Sequence, residues 1–121
     1  MEARRAMTGQ TDTMSKALQA VRDRFLFDLD QRICEFEDLK AQILAGSDPA
    51  TAIRAAAMSA HKIRGVAATL GLSQLGDLAG AVEDQFTTAT GTVAEFWQQA
   101  GPTYERFLDE MERVQPDYST F

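Results

Sequence analysis

Apolar residues recur along this chain in steps of three and four, and no stretch alternates apolar with polar long enough to suggest a sheet. From Ser15 onward they fall at Leu18, Val21, Phe25, Leu29, Ile33, Phe36, Leu39 and Ile43. That spacing lays one stripe along a helix. It fits a single long helix, or a short one followed by a longer one with the break before Phe25. "AGSDP" ends the pattern, with Gly46 as the C-terminal stop. Asp48 then has the chemistry of an N-cap and Pro49 suits the first helical position. This next helix runs to about Leu70, and Gly71 closes it. Ser73 is placed to cap a third helix that continues to about Phe86 or Thr88. After the loop "TTATGT", Thr92 and Glu95 read as a capping box that opens a last helix to about Val114. Its stripe (Val93, Phe96, Trp97, Tyr104, Phe107, Leu108 and Met111) reads as core rather than as a cofactor box, and Gly101-Pro102 predicts a kink in it. The expected fold is all-α, an antiparallel four-helix bundle with room for a short extra N-terminal helix. Residues 1–13 are polar and aperiodic and read as a flexible N terminus. Residues 14–115 read as the bundle and residues 116–121 as a flexible tail.

With 121 residues the chain suits one domain with one core. The net charge of −6 argues against nucleic acid and against an anionic membrane surface as partners, because both need a basic face. No apolar run approaches the roughly 18 residues of a membrane span. The N terminus lacks the apolar segment of a secretory signal, so a cytoplasmic location is expected. The single cysteine, Cys34, has no internal disulfide partner. It lies among apolar positions and reads as a small buried side chain rather than a redox group.

The one histidine sits in "SAHKIRGVAATLG", residues 59 to 71. On a wheel of 100° per residue, Ala52, Ala56, Ile63, Ala67 and Leu70 share the core side. His61 points the other way. Its outer neighbours are Arg54, Ala57, Met58, Arg64, Gly65 and Ala68, with Lys62 at the edge. Solvated helix faces normally carry long polar side chains, whereas here the imidazole is ringed by Ala57, Gly65 and Ala68. Glycine inside a helix costs about 1 kcal/mol relative to alanine, which suggests a need for open space beside the ring. Arg54, Lys62 and Arg64 make a small basic patch on an acidic chain. The third helix buries Leu75, Leu78, Val82 and Phe86, and beside that stripe lie Gly76, Ala79, Gly80 and Glu83. If the two helices pack antiparallel, Glu83 reaches the His61 ring.

These residues resemble the histidine-containing phosphotransfer (Hpt) domain of two-component phosphorelays. That family's pattern is His-x-x-Lys-Gly, a small residue two places on, then Leu-Gly; here it reads His61, Lys62, Ile63, Arg64, Gly65, Ala67, Leu70 and Gly71. Arginine replaces lysine at 64 and keeps the charge. "LSQLGDLAGAVED" resembles the family's next helix. The resemblance implies that His61 accepts a phosphoryl group from a receiver-domain aspartyl phosphate and passes it to another receiver's aspartate. It implies that Glu83 supports the ring, that Arg64 lies near the phosphoryl group, and that Gly65 leaves room for it. Lys62 adds positive charge at the edge of the site. A receiver would press on Arg54, Ala57, Met58, Ala68, Gly76, Ala79 and Gly80. No cofactor is expected on this chain, and Mg²⁺ would belong to the receiver's carboxylates. The expected partners are response-regulator receiver domains, with a hybrid sensor histidine kinase as a further candidate, and the expected state is a monomer. The chain would be a stand-alone intermediate or a module of a larger hybrid kinase.

The chemistry is consistent with that reading. Neutral imidazole has one lone pair for attack, and a carboxylate accepting Nδ1–H would leave Nε2 as the nucleophile. No Gly-rich phosphate loop is present, so self-phosphorylation from ATP is not expected. Each residue also has a plainer reading: a surface histidine for His61, a solvated helix charge for Glu83, Arg64, Lys62 and Arg54. Two other functions stay open on this basis. One is a non-catalytic helical adaptor that docks on a receiver or other partner through the Ala/Gly-rich face. The other is a small enzyme with His61 as general base.

Overall fold

The structure, a computed structural model, describes residues 2–116, with side chains described from residue 15 on. Among the described residues there are five helices and no strand: α1 (Glu2–Phe27), α2 (Leu29–Ala45), α3 (Pro49–Thr69), α4 (Ser73–Thr87) and α5 (Val93–Val114). Helices α2 to α5 form a closed ring of neighbours, α2 on α3, α3 on α4, α4 on α5 and α5 back on α2. This is the expected four-helix bundle. The neighbours run antiparallel. Going up α3 means going down α4, since Ala67 lies by Gly76, Arg64 by Gly80 and His61 by Glu83. The same holds for α2 against α5, where Asp30 meets Gln115, and Lys40 meets Glu105.

The core follows the stripes. Leu29, Phe36 and Ile43 of α2 are buried, with Leu75, Val82 and Phe86 of α4 and Tyr104, Phe107, Leu108 and Met111 of α5. The buried side of α3 is Ala52, Ala56, Ala57, Ala60 and Ala67 around the single large Ile63. On α4 it includes Gly76, Ala79 and Gly80. Small residues on both sides let these two backbones approach closely. The bulk missing at that seam is made up at the opposite wall. There Tyr104 stacks on Phe86 with ring centroids 5.3 Å apart and meets Phe36 edge-on at 5.9 Å.

Tyr104 donates its hydroxyl to the Phe36 carbonyl at 2.6 Å. Burial, with help from the Glu37 and Glu105 charges, raises the phenol well above its ordinary range, so it stays a donor. Tyr104→Phe should therefore remove one buried hydrogen bond and little packing. We expect a loss of about 1 kcal/mol in urea unfolding. An unchanged midpoint would show that the bond contributes nothing net.

The helix ends obey local chemistry. Asp48 accepts a bond from Thr51 N at 3.3 Å, and Thr92 accepts one from Glu95 N at 3.1 Å. Gly46 and Gly71 have φ of 74° and 75°, the left-handed turn that ends α2 and α3. At Gly71 the Leu72 N–H returns to the Ala67 carbonyl at 2.9 Å and the Gly71 N–H to the Ala68 carbonyl at 3.4 Å, which completes a Schellman motif.

Several expectations need correction. The first break falls at Asp28, after Phe25 rather than before it. No proline or glycine marks it, and backbone bonds still cross it from Asp28 N to Arg24 O and from Arg32 N to Asp28 O. The backbone is helical from Glu2, well before Ser15. Leu18 and Val21 belong to the stripe but stand 48% and 53% exposed, because α1 touches the bundle only near its end. Cys34 is exposed. It sits about 150° round from the Leu29–Phe36 line, about 100° beyond the partly buried Ile33. Ser73 is the first residue of α4 and Leu72 holds the cap position, with no side-chain bond there. Pro102 lies inside α5, as expected, and the helix continues past it to Val114. Of the expected tail, residues 117–121 lie outside the described residues.

Candidate functional site

His61 rises from the middle of α3 with its side chain 72% exposed, on the far side of the helix from Ile63 and Ala67. Its Nδ1 lies 2.7 Å from Glu83 Oε2 of α4. A carboxylate can only accept, so this bond puts the proton on Nδ1 and leaves the Nε2 lone pair free. Glu83 is itself largely covered, 18% exposed, which holds the acceptor still. The antiparallel seam brings together two side chains 22 residues apart in sequence.

The other oxygen of Glu83 faces Arg64, with Nη1 to Oε1 at 3.7 Å. The guanidinium lies flat over Gly80: a Cβ there would come within 3.1 Å of Arg64 Nε and 3.3 Å of Cζ. Glu83 therefore links the imidazole to the nearest cation. Gly65 is different. Nothing lies within 4 Å of the point where its Cβ would be, so no packing within the chain requires a glycine there.

Two shallow, mostly apolar grooves flank the ring. One is lined by Ala57, Met58, Lys62, Glu83 and Thr87. The other is lined by Val21, Lys62, Gly65, Val66, Thr69 and Leu70. Lys62 borders both. Helix α3 carries three basic residues and no acidic one, so this face is locally positive on an acidic chain.

The structure brings His61, Glu83, Arg64, Lys62, Gly65 and Met58 to one face, with Ala68 exposed on the same helix. It does not bring the others there as open surface. Ala57 is only 5% exposed, and Gly76, Ala79 and Gly80 are buried. A wheel drawn for one helix cannot show where its neighbour lands, and α4 covers the side where these small residues lie. They form the α3–α4 seam rather than a surface open to a partner. Arg54 lies about two turns, ~10 Å, from His61 along α3. It borders a separate depression with Pro49, Ile53, Phe86 and Val93. Five groove residues were not placed at the site from sequence: Val21, Val66, Thr69, Leu70 and Thr87. Val21 read as core because it falls in step with Phe25. Thr87 had no signal; its hydroxyl donates to the Glu83 carbonyl at 2.9 Å.

No helix among the described residues is long and apolar enough to cross a membrane. The family model of the Hpt domain matches residues 20–116, which is most of the chain. No curated protein matches significantly, and no solved structure does. The match spans the whole bundle, with the exposed histidine of α3 and its carboxylate partner at the middle. The chain therefore belongs to the Hpt-domain family, whose members carry out phosphotransfer in phosphorelays and interact with response-regulator receiver domains.

Proposed function

We propose that this protein is a phosphorelay intermediate that takes a phosphoryl group from a receiver-domain aspartyl phosphate onto His61 Nε2 and passes it to the aspartate of another receiver. The observation that carries this reading is the exposed ring tied at Nδ1 to Glu83 at 2.7 Å. The Nε2 lone pair attacks phosphorus, an N–P bond forms, and the P–O bond to the aspartate breaks with its electron pair leaving on the carboxylate. The proton stays on Nδ1. The phosphorylated ring is then cationic there, and the Glu83 carboxylate offsets that charge. Arg64 and Lys62 stand close enough to offset the charge of the phosphoryl oxygens. Mg²⁺ belongs to the receiver's carboxylates in this scheme. The protein works as a cytoplasmic monomer and takes its phosphate from a receiver or a hybrid sensor kinase rather than from ATP.

The test is direct. Mixing the protein with a phosphorylated receiver and Mg²⁺ should give acid-labile, base-stable label, which then moves to a second receiver. Binding without label would instead indicate an adaptor. Glu83→Ala should slow transfer modestly, by about tenfold, because the carboxylate orients the ring without bonding to phosphorus. Complete loss of transfer in a folded Glu83→Ala protein would mean that its role is misassigned.

A further inference from the structure

Helix α4 carries two glycines on its buried side, and each weakens the helix relative to alanine. Their surroundings differ. At Gly76 a Cβ would stand 3.6 Å from Ala67 Cβ and 3.8 Å from Ala68 N, which is ordinary contact, so alanine would fit. At Gly80 a Cβ would meet Arg64 Nε at 3.1 Å, Cζ at 3.3 Å and Cδ at 3.4 Å. Those nearest atoms all belong to one side chain, and none is backbone. The glycine at 80 therefore makes room for a guanidinium rather than for the neighbouring helix. Arg64 lies one turn beyond His61 on α3, and Glu83 lies one turn beyond Gly80 on α4. The guanidinium crosses the seam between them. Its Nη1 is 3.7 Å from Glu83 Oε1, while Oε2 of the same carboxylate holds His61 Nδ1 at 2.7 Å. The Arg64 side chain is 52% exposed, so the contact with Glu83 alone is too weak to fix so flexible a group. The flat bed on Gly80 supplies the rest.

We infer that Gly80 is a positioning residue for phosphoryl transfer: the absence of a side chain there seats the Arg64 guanidinium beside His61 and Glu83, where it meets the phosphoryl group passing to or from the ring. This rests on the phosphotransfer reading and adds to it a buried residue that touches neither phosphorus nor partner. The gain is preorganisation. A cation already held at the site needs no rearrangement when the charge arrives, whereas an arginine free to swing into solvent must be ordered at that moment. About half of the Arg64 side chain still faces solvent, so it can donate to phosphoryl oxygens without leaving its seat.

A double-mutant cycle on the full chain tests this, read as the single-turnover rate of transfer from a panel of phosphorylated receiver domains with Mg²⁺, at saturating receiver. Gly80→Leu should expel the guanidinium and slow transfer about tenfold, and Arg64→Ala should slow it by about the same factor. Gly80→Leu combined with Arg64→Ala should be no slower than Arg64→Ala alone, because the glycine acts only through that side chain. A Gly80→Leu protein that transfers like wild type overturns the proposal. So does a loss from Gly80→Leu that persists in the Arg64→Ala background, which would show that residue 80 acts on the fold or on docking. Either result, with label on wild type, leaves the phosphotransfer reading standing. No label on wild type from any receiver overturns that reading, and the proposal with it. Should Gly80→Leu lose helicity, Gly80→Ala enters the same cycle. It obliges Arg64 to move by only a few tenths of an ångström, so its loss should be about twofold and should vanish beside Arg64→Ala. NMR of the Arg64 Nε–H gives a reading independent of transfer: the signal should shift on Gly80→Leu and stay in place on Gly76→Ala. An Arg64 signal unmoved by Gly80→Leu would mean that the guanidinium has no seat there and would overturn the proposal.

Discussion

His61→Gln is expected to abolish all transferable label while leaving the helical signal and the unfolding midpoint close to wild type. The chemical loss is total because the amide nitrogen of glutamine has no free lone pair for attack on phosphorus, and no other histidine exists in the chain to substitute. The structural loss is small because the side chain is 72% exposed and makes no core contact. Glutamine can also donate a hydrogen bond to the Glu83 carboxylate, so that largely covered group keeps a partner. Surface replacements of this kind usually shift stability by no more than about 0.5 kcal/mol. The measurement is phosphoryl transfer from a labelled receiver beside circular dichroism of the same sample. Label surviving in the folded variant would place the acceptor elsewhere and end the present assignment.

Gly65→Gln is expected to separate function from stability in opposite directions. Glycine in a helix interior costs about 1 kcal/mol relative to a good helix former. Nothing in the chain lies within 4 Å of a Cβ at this position, and the residue is exposed, so glutamine should fit and raise the unfolding midpoint. Transfer should nevertheless fall by about 100-fold, because a side chain one turn beyond His61 would stand where the incoming receiver must approach, and small misplacements of reacting groups have costs of that order. Gly65→Ala should show the same stabilisation with a smaller loss of rate. A Gly65→Gln protein that transfers like wild type would show that the space beside the ring is not used by the partner. One that unfolds at lower denaturant would show instead that the glycine serves the fold.

Gly80 makes an instructive contrast. It is also a glycine in a helix near the site, and on sequence grounds it looks like Gly65. Its space is already filled, by the Arg64 guanidinium. Equivalent residues in the sequence thus have different reasons, and only the neighbouring helix distinguishes them.

What was legible in the chain was set by local chemistry and by period. The start of α3 could be read from Asp48 and Pro49, its end from Gly71, and the start of α5 from Thr92, because caps and left-handed glycines act within a few residues of themselves. The core side of α3 and the outward direction of His61 followed from the 3.6-residue repeat, which needs no knowledge of the partner helix. The Hpt resemblance was carried by residues 61 to 71, and the family match covers the same stretch. The break at Asp28 was illegible as to place because no glycine or proline marks it and backbone bonds run across it.

Facts that depend on two helices at once were decided by the tertiary structure alone. Burial of Ala57, Gly76, Ala79 and Gly80 depends on where α4 lies across α3. The exposure of Leu18 and Val21 depends on how much of α1 reaches the bundle, although their period is that of a core stripe. The position of Val21 beside His61 belongs to the same class, since it joins residues 40 apart that share no local pattern. A single-helix period reports which side chains point together, but burial is a property of the surface that meets them.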